Sequence, residues 1–297
     1  MSPTKNHPKG WSCERFGGIN IRVMVTGSKG FLGKSVIHLL QESNWDIVHF
    51  DLQDGDDILD YQQVISKLQN SNLCIHLAAV ADVYDAEADA ERCQMINVEG
   101  TRNIAKACVD TDVRLLFIST VCAYGNNGNL VQTEDSPLAP TEIYAETKAE
   151  AESILSSIEN LDYRIIRPAT FYGSGMRDTL AIQRFINASK NGRKIEIHGN
   201  GTQTRCYTHV DDVALSIMIL SELWPDDIVY NVANPQPTSV IELVEMIRQV
   251  SGENLEIQHV EDRRGQIFCS SIDVSKMKSL GWAPTKDLLY GIKELFS

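Results

Sequence analysis

The reading begins at Ile21-Arg22-Val23-Met24-Val25-Thr26-Gly27-Ser28-Lys29-Gly30-Phe31-Leu32-Gly33. Ile21–Val25 is a short, mostly apolar run of the kind that forms a buried strand. Beyond the glycines, Phe31, Leu32, Val36, Leu39 and Leu40 fall on one face of a helix. Glycines between a strand and a helix permit a tight turn and a close backbone approach to a pyrophosphate. The free N–H groups at the helix start then face the phosphates. A glycine triplet alone also occurs in loops that merely join strand to helix. The next strand-like run, Ile47–Phe50, ends on Asp51. That is close to the spacing at which a carboxylate takes the adenosine ribose hydroxyls. An acid there favours NAD and repels the 2′-phosphate of NADP, and no Arg follows immediately.

Working outward, the alternation continues. Helical Tyr61–Leu68 precedes strand-like Leu73–Leu77, and a long helical stretch covers about 92–109 before Leu115–Ser119. A helix over about 142–158 leads into Tyr163–Ile166. This pattern predicts an α/β fold, a Rossmann-type doubly wound parallel sheet with helices on both faces. After Pro168 the character changes. Gly173, Gly175, Gly192, Gly199 and Gly201 punctuate loops around one helix near Ile182–Lys190. Helix Asp212–Leu223 and strand Ile228–Val232 return to the sheet, and the tail from about Ser239 carries helices and one short strand. A smaller, interleaved C-terminal lobe is the expected arrangement.

Composition sets limits. The 297 residues are 43% apolar and 23% charged, ordinary for a globular enzyme. There are 27 Lys and Arg against 40 Asp and Glu, so the net charge is −13 and the mean field repels nucleic acid. Seven scattered cysteines without a CxxC pair argue against a disulfide framework and a zinc site. No apolar run approaches a membrane span, and residues 1–19 read as a polar tail without the core of a signal peptide. Together these point to a cytoplasmic protein. His209 reads as a structural residue, and no second ligand at recognisable spacing suggests a metal.

Tyr144-Ala145-Glu146-Thr147-Lys148 carries the chemistry. On a helix, positions four apart share a face, so Tyr144 and Lys148 point the same way. A nearby ammonium stabilises a phenolate. The same spacing also occurs on ordinary exposed helix faces. Thr120, at a strand end, supplies a third hydroxyl where the sheet opens.

With these residues in place, the chain resembles an extended short-chain dehydrogenase/reductase of the nucleotide-sugar epimerase and dehydratase group. The resemblance covers about 21–297. It rests on TGSKGFLG at 26–33, Asp51, Asp57-Ile58, HLAA at 76–79 and NVEGT at 97–101. STVCAYG at 119–125, YAETK at 144–148, RPATFYGSG at 167–175, RCYTHVDDVA at 205–214, a GQ after Arg264 and GWAPT at 281–285 continue it. The resemblance implies NAD as cofactor, with Gly27, Gly30, Phe31 and Leu32 at the pyrophosphate and Asp51 at the ribose. Asp57 and Ile58 would hold the adenine, Leu77, Ala78 and Ala79 would line the cofactor path, and Asn97 would brace the site. It implies Thr120, Tyr144 and Lys148 as catalytic residues. Arg205 and Arg264 would grip a nucleoside diphosphate sugar, with Val121, Cys122 and Thr170 lining its pocket. The implied division is a cofactor domain of 20–171 with 209–233, and a nucleotide-sugar lobe of 172–208 with 234–297. It also implies a homodimer through a four-helix bundle of the helices near 92–109 and 142–158, with faces including Ile104, Ala107, Ala151 and Ile154.

Departures narrow the activity. Dehydratases of this group carry an acidic pair after the catalytic Thr, where this chain has Val121 and Cys122. Decarboxylating members also use an acid there. The expectation is therefore a 4-epimerase of the UDP-glucose/UDP-galactose type. A ketoreductase of 4-keto sugars uses the same triad. Cys122 matches the catalytic cysteine of GDP-fucose-synthase-type epimerase-reductases, but the histidine those enzymes need after their YG is missing at Ser174-Gly175-Met176. Thr170 stands where many epimerases carry Asn. A non-catalytic NAD-binding protein is the remaining alternative; such relatives typically lose the Tyr or Lys that this chain keeps.

Overall fold

The structure is a computed structural model that describes residues 21–126, 128, 130–262, 267–268 and 270–296. The polar tail and Arg264, with the GQ that follows it, lie outside the described residues. The strands in chain order are β1 (Arg22–Thr26), β2 (Asp46–Phe50), β3 (Leu73–His76), β4 (Arg114–Ile118), β5 (Tyr163–Pro168) and β6 (Phe171–Tyr172). They continue as β7 (Ile195–His198), β8 (Thr204–Cys206), β9 (Thr208–His209), β10 (Val229–Val232), β11 (Pro237–Ser239) and β12 (Ile257–Val260). The helices are α1 (Phe31–Glu42), α2 (Tyr61–Leu68), α3 (Val83–Ala88), α4 (Ala90–Gln94), α5 (Thr101–Thr111) and α6 (Ile143–Ser157). After them come α7 (Ala181–Lys190), α8 (Val210–Leu223), α9 (Val240–Ser251), α10 (Ser275–Ser279) and α11 (Leu288–Phe296).

Six parallel strands form the central sheet in the order β2-β1-β3-β4-β5-β10. Val23, Met24 and Val25 are fully buried, as a strand covered on both faces requires. The chain runs outward from β1 to β2, then crosses back to β3 on the other side. The crevice at that reversal, beyond the strand ends Thr26 and His76, is where such sheets bind ligands. One apolar layer packs α1 and α8 against the sheet, and the opposite layer holds Ile104, Ala105, Ala107, Ala151 and Leu155 of α5 and α6. Ile104, Ala107, Ala151 and Ile154, expected on a dimer face, are thus buried within one chain; both helices spend these faces covering the sheet. A further core, built on Ile182, Phe185, Ile186, Ile197, Leu243 and Val244, belongs to the glycine-punctuated region and α9. Ile272, Val274, Met277 and Trp282 pack into the first layer beside α8.

The long helix expected over 92–109 is interrupted. Met95–Gly100 forms a π-turn between α4 and α5. An extra residue in a helical turn aims side chains that a regular helix would turn elsewhere, and Asn97 is the one aimed here. A Cβ at Gly100 would meet Ile58 Cδ1 at 2.5 Å, so glycine lets this segment close over Ile58.

Candidate active site

At the end of β1 the backbone turns at Gly27 with φ of +66°. A Cβ there would lie 2.9 Å from the Ala78 amide nitrogen, and one on Gly33 only 2.2 Å from the Gly27 carbonyl. Backbone therefore lies on backbone, and Leu77, Ala78 and Ala79 sit beside the turn, each half-buried. The Gly27 amide donates to the Phe50 carbonyl at 2.8 Å, tying the turn to β2. Gly30 is the N-cap of α1 and no side chain caps the helix, so its first amides stay available. Ser28 Oγ is buried with no partner among the described residues. A bare helix start beside an orphaned hydroxyl fits a phosphate ligand. The turn meets the next strand through Asp51, whose carboxylate accepts the Lys29 amide at 2.8 Å and the Gln53 amide at 3.0 Å. Each of its oxygens keeps a lone pair for a hydroxyl donor. Asp57 accepts the Leu59 amide at 2.9 Å, and Ile58 is buried against Gly100.

The residues expected to be catalytic lie where β4 and α6 meet. Lys148 is 3% exposed, and its ammonium donates to the Ile118 carbonyl at 2.8 Å, over the Phe117 ring. Burial pulls its pKa down to about 8, while Cys93 and Glu152 pull it back up. Glu152, one turn along α6, is locked to Arg167 by a bidentate buried pair at 2.9 and 2.5 Å. Thr120 Oγ accepts the Cys122 amide at 3.1 Å, and its hydroxyl stands near enough to Tyr144 to favour the ionised phenol. Burial pushes the Tyr144 phenol well above its ordinary value, and Cys122 adds to this. The Arg177 guanidinium and the Thr120 hydroxyl pull the other way. Asn97 fixes the helix that carries both groups. Its Oδ1 accepts the Val80 amide at 2.8 Å, and its Nδ2 donates to the Val80 carbonyl at 3.0 Å and to Thr147 Oγ at 2.9 Å.

Beyond the triad a cavity of about 240 Å³ opens between the sheet ends and the second lobe. Cys122, Thr170 and Arg205 line it, and Val121 joins them in an adjoining smaller hollow. Arg205 Nη1 is anchored on the Thr204 and Ile267 carbonyls at 2.8 and 2.7 Å. Phe31 stacks on Phe171 at 5.7 Å, joining the start of α1 to the strand that leads into the second lobe.

The description "NAD dependent epimerase/dehydratase family" matches residues 23–233. The chain belongs to this family. It is 30% identical to a putative UDP-glucose 4-epimerase of Methanocaldococcus jannaschii over 298 residues, covering 92% of this chain and 96% of the relative. It is 28% identical to human dTDP-D-glucose 4,6-dehydratase over 313 residues, covering 94% and 89%. The solved structure of MoeE5 with UDP-glucose and NAD superposes with a TM-score of 0.84 at 28% identity, covering 91% of this chain and 96% of that one. This member of the epimerase/dehydratase family is thus an NAD-dependent nucleotide-sugar enzyme with the Rossmann-type fold expected from its alternating strands and helices. Among the described residues, no helix is long and apolar enough to cross a membrane.

Sequence reasoning missed several residues of this family member's cleft. Arg177 donates to the Ala81 carbonyl at 3.0 Å and lies 3.5 Å from Asp82. Asp82 also accepts from Thr179 at 2.5 Å. Burial works to raise the Asp82 pKa, but Thr179, the Tyr84 amide and Arg177 outweigh it and hold the carboxyl below the ordinary range. Glu142, buried two residues before Tyr144, also lines the cavity. None of these carries a spacing signal. Arg177 and Asp82 are 95 residues apart and meet only in the fold.

Proposed function

We propose that this protein is an NAD-dependent nucleotide-sugar 4-epimerase of the UDP-glucose/UDP-galactose type. The observation that carries the reading is the pair after Thr120. Val121 and Cys122 supply no carboxylate where the dehydratases of this group place their acid and base. Thr120, Tyr144 and Lys148 suffice for reversible oxidation at the sugar C4. Tyr144 as phenolate takes the proton of the 4-hydroxyl, and Thr120 hydrogen-bonds the same oxygen. Lys148 lends the phenolate its positive charge through the short helical spacing. NAD, when bound, supplies the hydride acceptor and then the donor. The 4-keto sugar turns over in the cavity, and Tyr144 returns its proton to the product hydroxyl.

The proposed cofactor contacts are Gly27, Gly30, Phe31, Leu32, Asp51, Asp57, Ile58, Leu77, Ala78, Ala79 and Asn97. Arg205 and Arg264 grip the diphosphate, and Val121, Cys122 and Thr170 shape the sugar pocket. The cofactor domain is taken as 20–171 with 209–233, and the sugar lobe as 172–208 with 234–297. Homodimerisation through α4 to α6 and cytoplasmic residence complete the reading.

The test is an NMR assay in heavy water with NAD and a panel of UDP-, dTDP-, GDP- and CDP-sugars. A 4-epimer without ring deuterium is expected. Deuterium next to a ketone would overturn the epimerase reading in favour of an epimerase-reductase using Cys122.

A further inference from the structure

We propose that His76, in a single Nε2–H tautomer, is a positioning residue that ties the cofactor turn to the Asn97 brace of the catalytic helix. The reading rests on NAD occupying the Gly27 turn. His76 closes β3, register-paired with Thr26 at the end of β1, and is 1% exposed. Its Nδ1 lies 2.7 Å from Thr26 Oγ, and its Nε2 lies 3.0 Å from Thr101 Oγ.

The protons along this line have one consistent arrangement. Thr101 donates its hydroxyl proton to the Asn97 carbonyl at 2.6 Å, so it must accept from His76 Nε2–H. Nδ1 then carries a lone pair and accepts from Thr26 Oγ–H. The Thr26 oxygen in turn accepts the Leu77 and Ala78 amides, both at 3.1 Å. One unbroken line thus runs from the Leu77 and Ala78 amides beside the Gly27 turn to the backbone of Asn97, whose side chain grips Val80 and Thr147. A proton on Nδ1 would turn a third donor onto Thr26 Oγ and break the line. Burial and the nearby Lys148 charge oppose that protonation and pull the ring pKa down to about 3. Phe117 lies 5.8 Å from the imidazole, and the Lys148 ammonium lies over the same Phe117 ring.

The mechanism above asks nothing of this histidine, and a buried imidazole could serve as packing alone. Two measurements separate the roles. Nitrogen-15 NMR of the full chain with NAD bound should show a neutral ring protonated at Nε2, unchanged between about pH 5 and pH 8. A charged ring or an Nδ1–H tautomer overturns the proposal. NAD titrations of Thr101→Val and Thr101→Ser form the second test. Valine keeps the shape but removes the acceptor, so NAD binding should weaken by roughly tenfold. Serine restores the hydroxyl and should bind NAD within about threefold of wild type. Equal NAD affinity in the two variants also overturns the proposal, since a packing role would lower only thermal stability. Failure of the wild-type chain to bind NAD would instead overturn the cofactor assignment on which the proposal rests.

Discussion

The Gly27 turn and the 240 Å³ cavity lie at the same edge of the sheet but are built differently. The turn is backbone packed on backbone, with Gly27 and Gly33 where any Cβ would collide with main chain. The cavity is side chain facing side chain, from Asp82, Cys122, Thr170, Arg177 and Arg205 on distant segments. A backbone site tolerates no shape change, because main chain cannot rotate out of the way. A side-chain site can be retuned residue by residue on the same scaffold.

Tyr144 moves the proton in the proposed mechanism, and its loss should cost most. Tyr144→Phe is expected to lower turnover by roughly a thousandfold, about 4 kcal/mol of barrier, with NAD affinity retained. Activity within a few-fold of wild type would remove its assigned role. Gly33→Ala tests the rigidity of the turn, since the added methyl meets backbone at 2.2 Å. A stability loss of about 3 kcal/mol in urea unfolding is expected, with NAD binding impaired. A folded variant with normal NAD affinity would show that the turn can give.

The sharpest contrast comes from a pair. Asp51→Ala should weaken NAD by roughly thirtyfold, about 2 kcal/mol, leaving the KM for the sugar nucleotide nearly unchanged. Arg205→Ala should do the opposite, raising that KM by roughly tenfold with NAD affinity intact. If both variants moved both constants, the two regions would be one energetic unit.

The smallest effect is on pH. In the proposed mechanism Lys148 must be charged to support the phenolate, and its folded pKa is lowered from 10.5 to about 8. Activity should therefore decline as pH rises through about 8. Stability should move the other way over the same window. Between about 8 and 10.5 the unfolded chain holds this proton more tightly than the fold does, so unfolding free energy rises with pH. A flat rate profile across this range would argue that Lys148 stays charged throughout.

Much of the fold was legible, and some of the site. Strand β1, the glycine turn and Asp51 are local signals, because strand period, tight turn and ribose spacing are all written in neighbouring residues. The shared helix face of Tyr144 and Lys148 was legible for the same reason, and in the fold the Lys148 ammonium donates to the Ile118 carbonyl at the end of β4. The π-turn over Met95–Gly100 was not. It holds Asn97 against Val80 and Thr147, partners 17 and 50 residues away. Apolar periodicity marks the faces of α5 and α6 as buried without saying which partner buries them, and within one chain the sheet covers Ile104, Ala107 and Ala151.

By itself, then, the sequence determined the alternating parallel sheet, the glycine turn and the spacing of Tyr144 and Lys148. Each depends on residues within a few positions of one another. Tertiary structure alone decided the cavity wall of Arg177, Asp82 and Glu142, the π-turn, and the proton order through His76. Each of these is a contact between segments tens of residues apart, and a hydrogen bond's direction depends on every partner along its line.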